Sequence, residues 1–131
     1  MPSAHLGDLD IYYELAGDGP PLLALPGSGA DLRNANIGRR LEDRFTVLTL
    51  DQRGLGRTGI PPGPYSMADY AEDALRLMDH VGWERAHVLG ISFGGMVAQE
   101  IAIRAPERVD RLVLACSSSG GAGGASAPLH E

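Results

Sequence analysis

The chain has 131 residues, 44% of them apolar and 21% charged, the balance of one ordinary globular domain with one core. Eleven Lys and Arg against seventeen Asp and Glu give a net charge of −6, which excludes a nucleic-acid partner, whose phosphates need a basic face. Cys116 is the only cysteine, so no intrachain disulfide can form. Residues 1–5 carry no signal-peptide pattern and no apolar run is long enough to cross a bilayer, so a cytoplasmic protein without a membrane partner is expected.

Taken in chain order, Leu9, Ile11, Tyr13 and Leu15 alternate with Asp10, Tyr12 and Glu14, the period of a half-buried strand. Gly17-Asp18-Gly19-Pro20 is a turn, and Pro21-Leu22-Leu23-Ala24-Leu25 is a short, continuously apolar strand ended by Pro26-Gly27-Ser28-Gly29. A short helix is expected over 35–41 and a strand over 45–50, closed by Asp51. Residues 54–64 are rich in Gly and Pro and read as loop. Ser66 and Asp69 form an S-x-x-D helix start, and Tyr70, Ala71, Ala74, Leu75, Met78 and Val81 recur at helical spacing up to Gly82. A buried-type strand at 88–91, a helix over 94–105 ended by Pro106, and an apolar strand over 109–115 complete the pattern. The run Ser117-Ser118-Ser119-Gly120-Gly121-Ala122-Gly123-Gly124 reads as flexible and polar. Strands alternating with helices after residue 21 predict an α/β fold, a mostly parallel sheet with helices on both faces. Ligands then bind beyond the carboxyl ends of the strands.

One motif carries chemistry. Gly90-Ile91-Ser92-Phe93-Gly94 is G-x-S-x-G between a legible strand and a legible helix. A bend this tight strains the serine, needs glycine at both flanks, and lifts Oγ above the sheet edge beside the helix N-terminus. Ser92 is the expected nucleophile and the N–H of Phe93 one oxyanion donor. The loop after the 21–25 strand is the expected source of the second, with the N–H of Ser28 the chosen candidate. Gly54-Leu55-Gly56-Arg57-Thr58-Gly59 is a formal G-x-G-x-x-G, but Ile60-Pro61-Pro62-Gly63-Pro64 follows it, and prolines at that density block the helix a dinucleotide site requires. No cluster has metal-ligand spacing, and no cofactor is expected.

Four motifs in this order make the chain resemble the α/β-hydrolase superfamily, in the branch of esterases, lactonases and cofactor-free haloperoxidase-like proteins. They are Leu25-Pro26-Gly27-Ser28-Gly29, Asp51-Gln52-Arg53-Gly54-Leu55-Gly56-Arg57-Thr58, Gly90-Ile91-Ser92-Phe93-Gly94-Gly95 and Pro106-Glu107-Arg108-Val109. The resemblance implies a serine hydrolase acting on an ester, lactone or related acyl substrate. It also implies that Asp51 and Arg53 brace the nucleophile rather than react. Pro26 departs from the family, which usually has His there, and Thr58 replaces a common Ser. Serine at the bend sets aside the aspartate-nucleophile branches. A C–C bond hydrolase and a non-catalytic binding protein on the same scaffold stay open as alternatives.

The usual order is Ser, then Asp or Glu, then His. After Ser92 the chain offers His130 and the acids Glu100, Glu107 and Asp110, none placed to complete a triad. His5, His80 and His87 read as surface or scaffold residues, and Cys116 as a small apolar one. The expectation is that residues 1–131 are the N-terminal portion of one hydrolase domain, truncated after about the sixth strand. Cap, acid and histidine lie elsewhere, the fragment is inactive by itself, and an exposed sheet edge invites self-association.

Overall fold

The computed structural model describes residues 3–6, 9–27, 39–54, 56 and 58–115. Six strands form one sheet: β1 (Ser3–Leu6), β2 (Leu9–Gly17), β3 (Pro21–Leu25), β4 (Thr46–Leu50), β5 (Ala86–Ile91) and β6 (Val109–Ala115). Helix α1 (Met67–His80) lies between β4 and β5, and α2 (Phe93–Arg104) between β5 and β6. Single 3-10 turns occupy Arg39–Leu41 and Pro106–Arg108. The spatial order is β1-β2-β4-β3-β5-β6. The pairs β1–β2 and β2–β4 are antiparallel, whereas β4–β3, β3–β5 and β5–β6 are parallel.

Strands β3 and β4 are apolar on both faces and buried on both. On β3 and β4, Leu23, Leu25, Leu48 and Leu50 point to one face and are fully buried beneath Leu77 and Met78 of α1 and Val97 and Ile101 of α2. Leu22, Ala24 and Val47 point to the other, where Leu41, Phe45 and Leu89 meet them. Thus α1 and α2 share one face, and the described part of the other carries only the Arg39–Leu41 turn and its surroundings. The first strand, β1, escaped the sequence reading because four residues are too few to display a period, and only pairing with β2 makes it a strand. Of the helix expected over 35–41, the described residues hold only the 3-10 turn Arg39–Leu41; the rest lies outside them.

Helix α1 starts where its cap dictates. The Asp69 N–H donates to Ser66 Oγ at 3.2 Å, and the Ser66 N–H donates back to Asp69 Oδ2 at 2.9 Å, a complete capping box. At the far end, the Arg108 guanidinium donates to the carbonyls of Trp83 at 2.8 Å and Glu84 at 2.7 Å, and to the Asp79 carboxylate at 2.7 Å. One side chain from the turn before β6 therefore gathers the last turn of α1 and the entry to β5, the physical content of the Pro106-Glu107-Arg108-Val109 motif.

The parallel side of the sheet ends on β6. Among the described residues it has no further strand beside it, and Leu112, Val113 and Leu114 are 38%, 57% and 42% exposed. An open apolar groove of about 400 Å³ runs beside it over Leu22, Phe45, Leu89 and Val113, toward the amino ends of the strands and away from Ser92. No helix among the described residues is long and apolar enough to cross a membrane.

Two predictions follow from these termini and edges. The hydrogen bonds from the Ser66 backbone and hydroxyl hold the Asp69 carboxyl below its ordinary range. A depressed native value stabilises the fold above the unfolded-state pKa, and that contribution disappears as pH falls through the native value. Asp69→Asn is therefore expected to flatten the acid limb of a melting-temperature profile, and Ser66→Ala to cost about 1 kcal/mol near neutrality; thermal melts from pH 2 to 7 check both. Residues 1–131 expressed by themselves are expected to elute above monomer size, and Val113→Lys to reduce that association by charging the edge. A monodisperse parent monomer in size-exclusion chromatography contradicts the second expectation.

Candidate active site

The sheet order contains a switch point. From β3 the chain moves outward to β4, then returns across β3 to β5, so the carboxyl ends of β3 and β5 are adjacent while their connections leave in opposite directions. A crevice opens at such a point. Two of the four sequence motifs end there: Pro26-Gly27 after β3 and Ser92 after β5.

Ser92 joins β5 to α2 with φ 54° and ψ −117°, the only non-glycine residue with positive φ among those described. That region costs an L-residue on the order of 1–3 kcal/mol and persists only where the surroundings enforce it. Here they do. A Cβ on Gly90 would overlap the Gly94 carbonyl oxygen and come within 2.6 Å of Gly95 Cα. A Cβ on Gly94 would overlap the Leu25 carbonyl oxygen and reach 2.5 Å from that of Pro26. Both obstacles are backbone and cannot rotate away. Glycine at both positions lets α2 begin directly against the end of β3.

The same contact sets the electrostatics. Ser92 is exposed, and its side chain makes no capping bond to α2. Its N–H donates to the Ala115 carbonyl at 2.8 Å, and its carbonyl accepts from Gly95 at 2.9 Å and Met96 at 3.4 Å. Among the described residues this leaves the Phe93 and Gly94 amides without a backbone acceptor, at the positive end of the α2 dipole. Gly27 approaches from β3, where an added Cβ would lie 3.6 Å from Ser92 Cβ. The loop expected to face the nucleophile thus does so as far as Gly27; Ser28, the chosen second donor, lies outside the described residues, as do Cys116 and His130.

The third motif forms a scaffold beside this bend. The buried Thr58 hydroxyl donates to the Asp51 carbonyl at 2.6 Å and accepts from the Tyr12 N–H at 2.9 Å, stitching the loop after β4 to β2. Arg53 makes a bidentate pair with Asp73 of α1: Nε to Oδ2 and Nη2 to Oδ1, both 2.7 Å. The side chains are 15% and 6% exposed, and the hydrogen bond to Asp73 holds the Arg53 guanidinium still more firmly protonated than usual. Removing one partner of so buried a pair costs about 3–5 kcal/mol. Burial pushes the Tyr70 phenol up from its ordinary value.

Sequence reasoning did not find Asp73 or Tyr70. A carboxylate inside the apolar stripe of α1 was the available signal, because a buried acid needs a buried cation. The described histidines lie elsewhere: His5 pairs with Asp10 at 2.6 Å on the antiparallel edge, His80 stacks edge-on against Tyr13, and His87 against Phe45. Glu100 pairs with Arg104 along α2, and Asp110 stands near Arg85 at 3.8 Å.

Comparison with known proteins agrees with this fold. A family model described as the alpha/beta hydrolase fold matches residues 20–129. Over 116 residues the chain is 43% identical to a protein of Azorhizobium caulinodans provisionally named carbamate hydrolase RutD, covering 87% of this chain and 43% of that one. A crystal structure of a hydrolase from Pseudomonas aeruginosa superposes with a TM-score of 0.83 at 40% identity, over 92% of this chain and 48% of the other. The enol-lactonase from Burkholderia xenovorans gives 0.82 at 29% identity, over 90% and 47%. The chain spans just under half the length of these relatives.

Substitutions at the bend are expected to act with opposite sign. Gly94→Ala forces two backbones apart and should cost about 1–3 kcal/mol. Ser92→Gly places the permissive residue at φ 54° and should add about 1 kcal/mol. Urea midpoints measure both; a shift in the same direction for the two contradicts the assignment of strain.

Proposed function

We propose that this chain, which belongs to the α/β-hydrolase fold family, carries the nucleophile and oxyanion-binding part of a serine hydrolase. Its substrate is a small carbonyl compound with a leaving group on the carbonyl carbon, an ester, lactone or carbamate. The names of its relatives support that class. The observation that carries the reading is Ser92 itself, an exposed residue kept at φ 54° where two amide protons have no backbone acceptor among the described residues. A turn that served only to reverse the chain has no use for a strained serine.

The reaction divides into two transfers. A general base takes the Ser92 proton as Oγ bonds to the carbonyl carbon, and the carbonyl π pair moves onto oxygen. The Phe93 N–H and an amide of the loop after β3 receive that negative charge, and each such donor contributes about 3–4 kcal/mol to the transition state. The intermediate collapses, the bond to the leaving group breaks, and the leaving group takes the proton from the base. Water, deprotonated by the same base, then attacks the acyl carbon, and Oγ departs with a proton restored. In this reading residues 1–131 are the first portion of a single hydrolase domain. The base is a histidine oriented by an acid, both from outside the described residues.

The test is covalent labelling of the protein in the longest form its gene encodes. A fluorophosphonate probe is expected to add to Ser92, located by peptide mass spectrometry, and to add nowhere in Ser92→Ala. Equal labelling of both proteins, or an adduct confined to another residue, overturns the assignment.

A further inference from the structure

The nucleophile bend is gripped from the side as well as from beneath. Phe93, the first residue of α2, meets Tyr70 of α1 edge-to-face, with ring centroids 4.9 Å apart and planes at 82°. Tyr70 meets Tyr65 in the same manner at 6.0 Å and 85°. The Arg53 guanidinium rests 5.3 Å from the Tyr65 ring, and its two bonds to Asp73 return the path to α1, three residues beyond Tyr70. The loop after β4, the first turns of α1 and the start of α2 thus form a closed circuit of directional contacts.

We infer that α1 is a strut that fixes the direction of the Phe93 N–H, with Tyr70 the positioning residue that touches the bend and the Arg53–Asp73 pair the anchor that holds Tyr70. The inference rests on the acyl-transfer reading of Ser92.

The direction of that N–H depends on rotation about the bonds flanking the Ser92–Phe93 peptide. Ser92 sits in a sparsely populated conformation, so local preference does not hold this rotation; neighbours must. The glycines admit the bend, and the Gly95 and Met96 N–H groups, donating to the Ser92 carbonyl, tie that peptide into α2; the Phe93 side chain is the lever on it from outside the helix. An edge-to-face aromatic contact restricts that lever because the attraction depends on ring orientation. Tyr70 can serve only if α1 cannot slide along the sheet. A bidentate carboxylate–guanidinium pair, nearly dry, is the contact that resists sliding, since two parallel bonds fix angle as well as distance. Lysine at position 53 offers a single point of attachment and lacks this property.

The experiment uses the protein in the longest form its gene encodes, with p-nitrophenyl acetate as substrate, and compares the parent with Tyr70→Phe, Tyr70→Leu, Asp73→Asn and Ser92→Ala. Tyr70→Leu is expected to lower kcat about tenfold to a hundredfold through misplacement of the donor. KM should stay within about twofold, the signature of an interaction made in the transition state. Tyr70→Phe keeps the ring and should recover kcat. The Phe93 amide resonance should move in Tyr70→Leu and stay in Tyr70→Phe, a readout independent of turnover. Should Tyr70→Leu fail to fold, Asp73→Asn, which preserves shape while weakening the anchor, should show the same kcat loss and the same amide shift to a smaller degree.

A folded Tyr70→Leu with parental kcat and an unmoved Phe93 resonance overturns the strut; so does an equal loss in Tyr70→Phe, which would assign the effect to the hydroxyl. Parental turnover in Ser92→Ala overturns the nucleophile reading instead, and the amide resonance then decides the strut by itself.

Discussion

The structure turns on the distance between two backbones. Where β5 gives way to α2, the first turn of the helix lies against the final carbonyls of β3, closer than any side-chain-bearing residue at position 94 would permit. Sheet order creates the opportunity, because the switch between β4 and β5 brings the carboxyl ends of β3 and β5 side by side. Glycine at 90 and 94 realises it. The consequences are the positive φ of Ser92, the amides of Phe93 and Gly94 without backbone acceptors among the described residues, and the proximity of Gly27. None of these requires a separate cause.

A bend so strained is held only where its surroundings enforce it, and contacts on several sides do so. Directly below lies a dry layer of leucines on β3 and β4 packed against both helices. To the side, the loop after β4 is fixed twice, by the Thr58 hydroxyl to β2 and by the Arg53–Asp73 pair to α1. At the opposite end of α1, Arg108 gathers three acceptors. The ion pair beside the bend takes both charges out of water, a desolvation cost, and its two parallel bonds fix angle as well as distance.

How much of this was legible in the sequence depended on whether the cause was local. The bend was readable because its requirements fall within five consecutive residues, Gly90 to Gly94, and the capping box because Ser66 and Asp69 are three apart. The strand over 21–25 was legible because a continuous apolar run marks a buried strand, and that over 109–115 because apolar residues dominate 112–115. What stayed hidden was pairwise and distant. Arg53 and Asp73 are twenty residues apart, and Tyr70 and Phe93 lie on different helices, so no window contains both members. The strand β1 was missed for the same reason: its hydrogen bonds to β2, not its own four residues, define it. The placement of both long helices on one face is likewise a property of crossover handedness acting on the whole sheet rather than of either helix.

That division between local and distant causes bears on how the chemistry is built. In the proposed reading, negative charge is received by backbone groups at the ends of β3 and β5 and the start of α2, which the sheet order brings together from two separate stretches of chain. Everything needed to remove the serine proton must come from a side chain, and the described histidines stand at other ends of the sheet. Oxyanion stabilisation and proton transfer are therefore physically separable in this fold. The first is a property of backbone geometry that survives as long as the bend survives. The second depends, in the same reading, on a side chain from outside the described residues. A serine without its base stays protonated near neutrality and reacts slowly however well the amides are aimed, so in the proposed reading the backbone groups set where a substrate carbonyl is attacked and the base sets when.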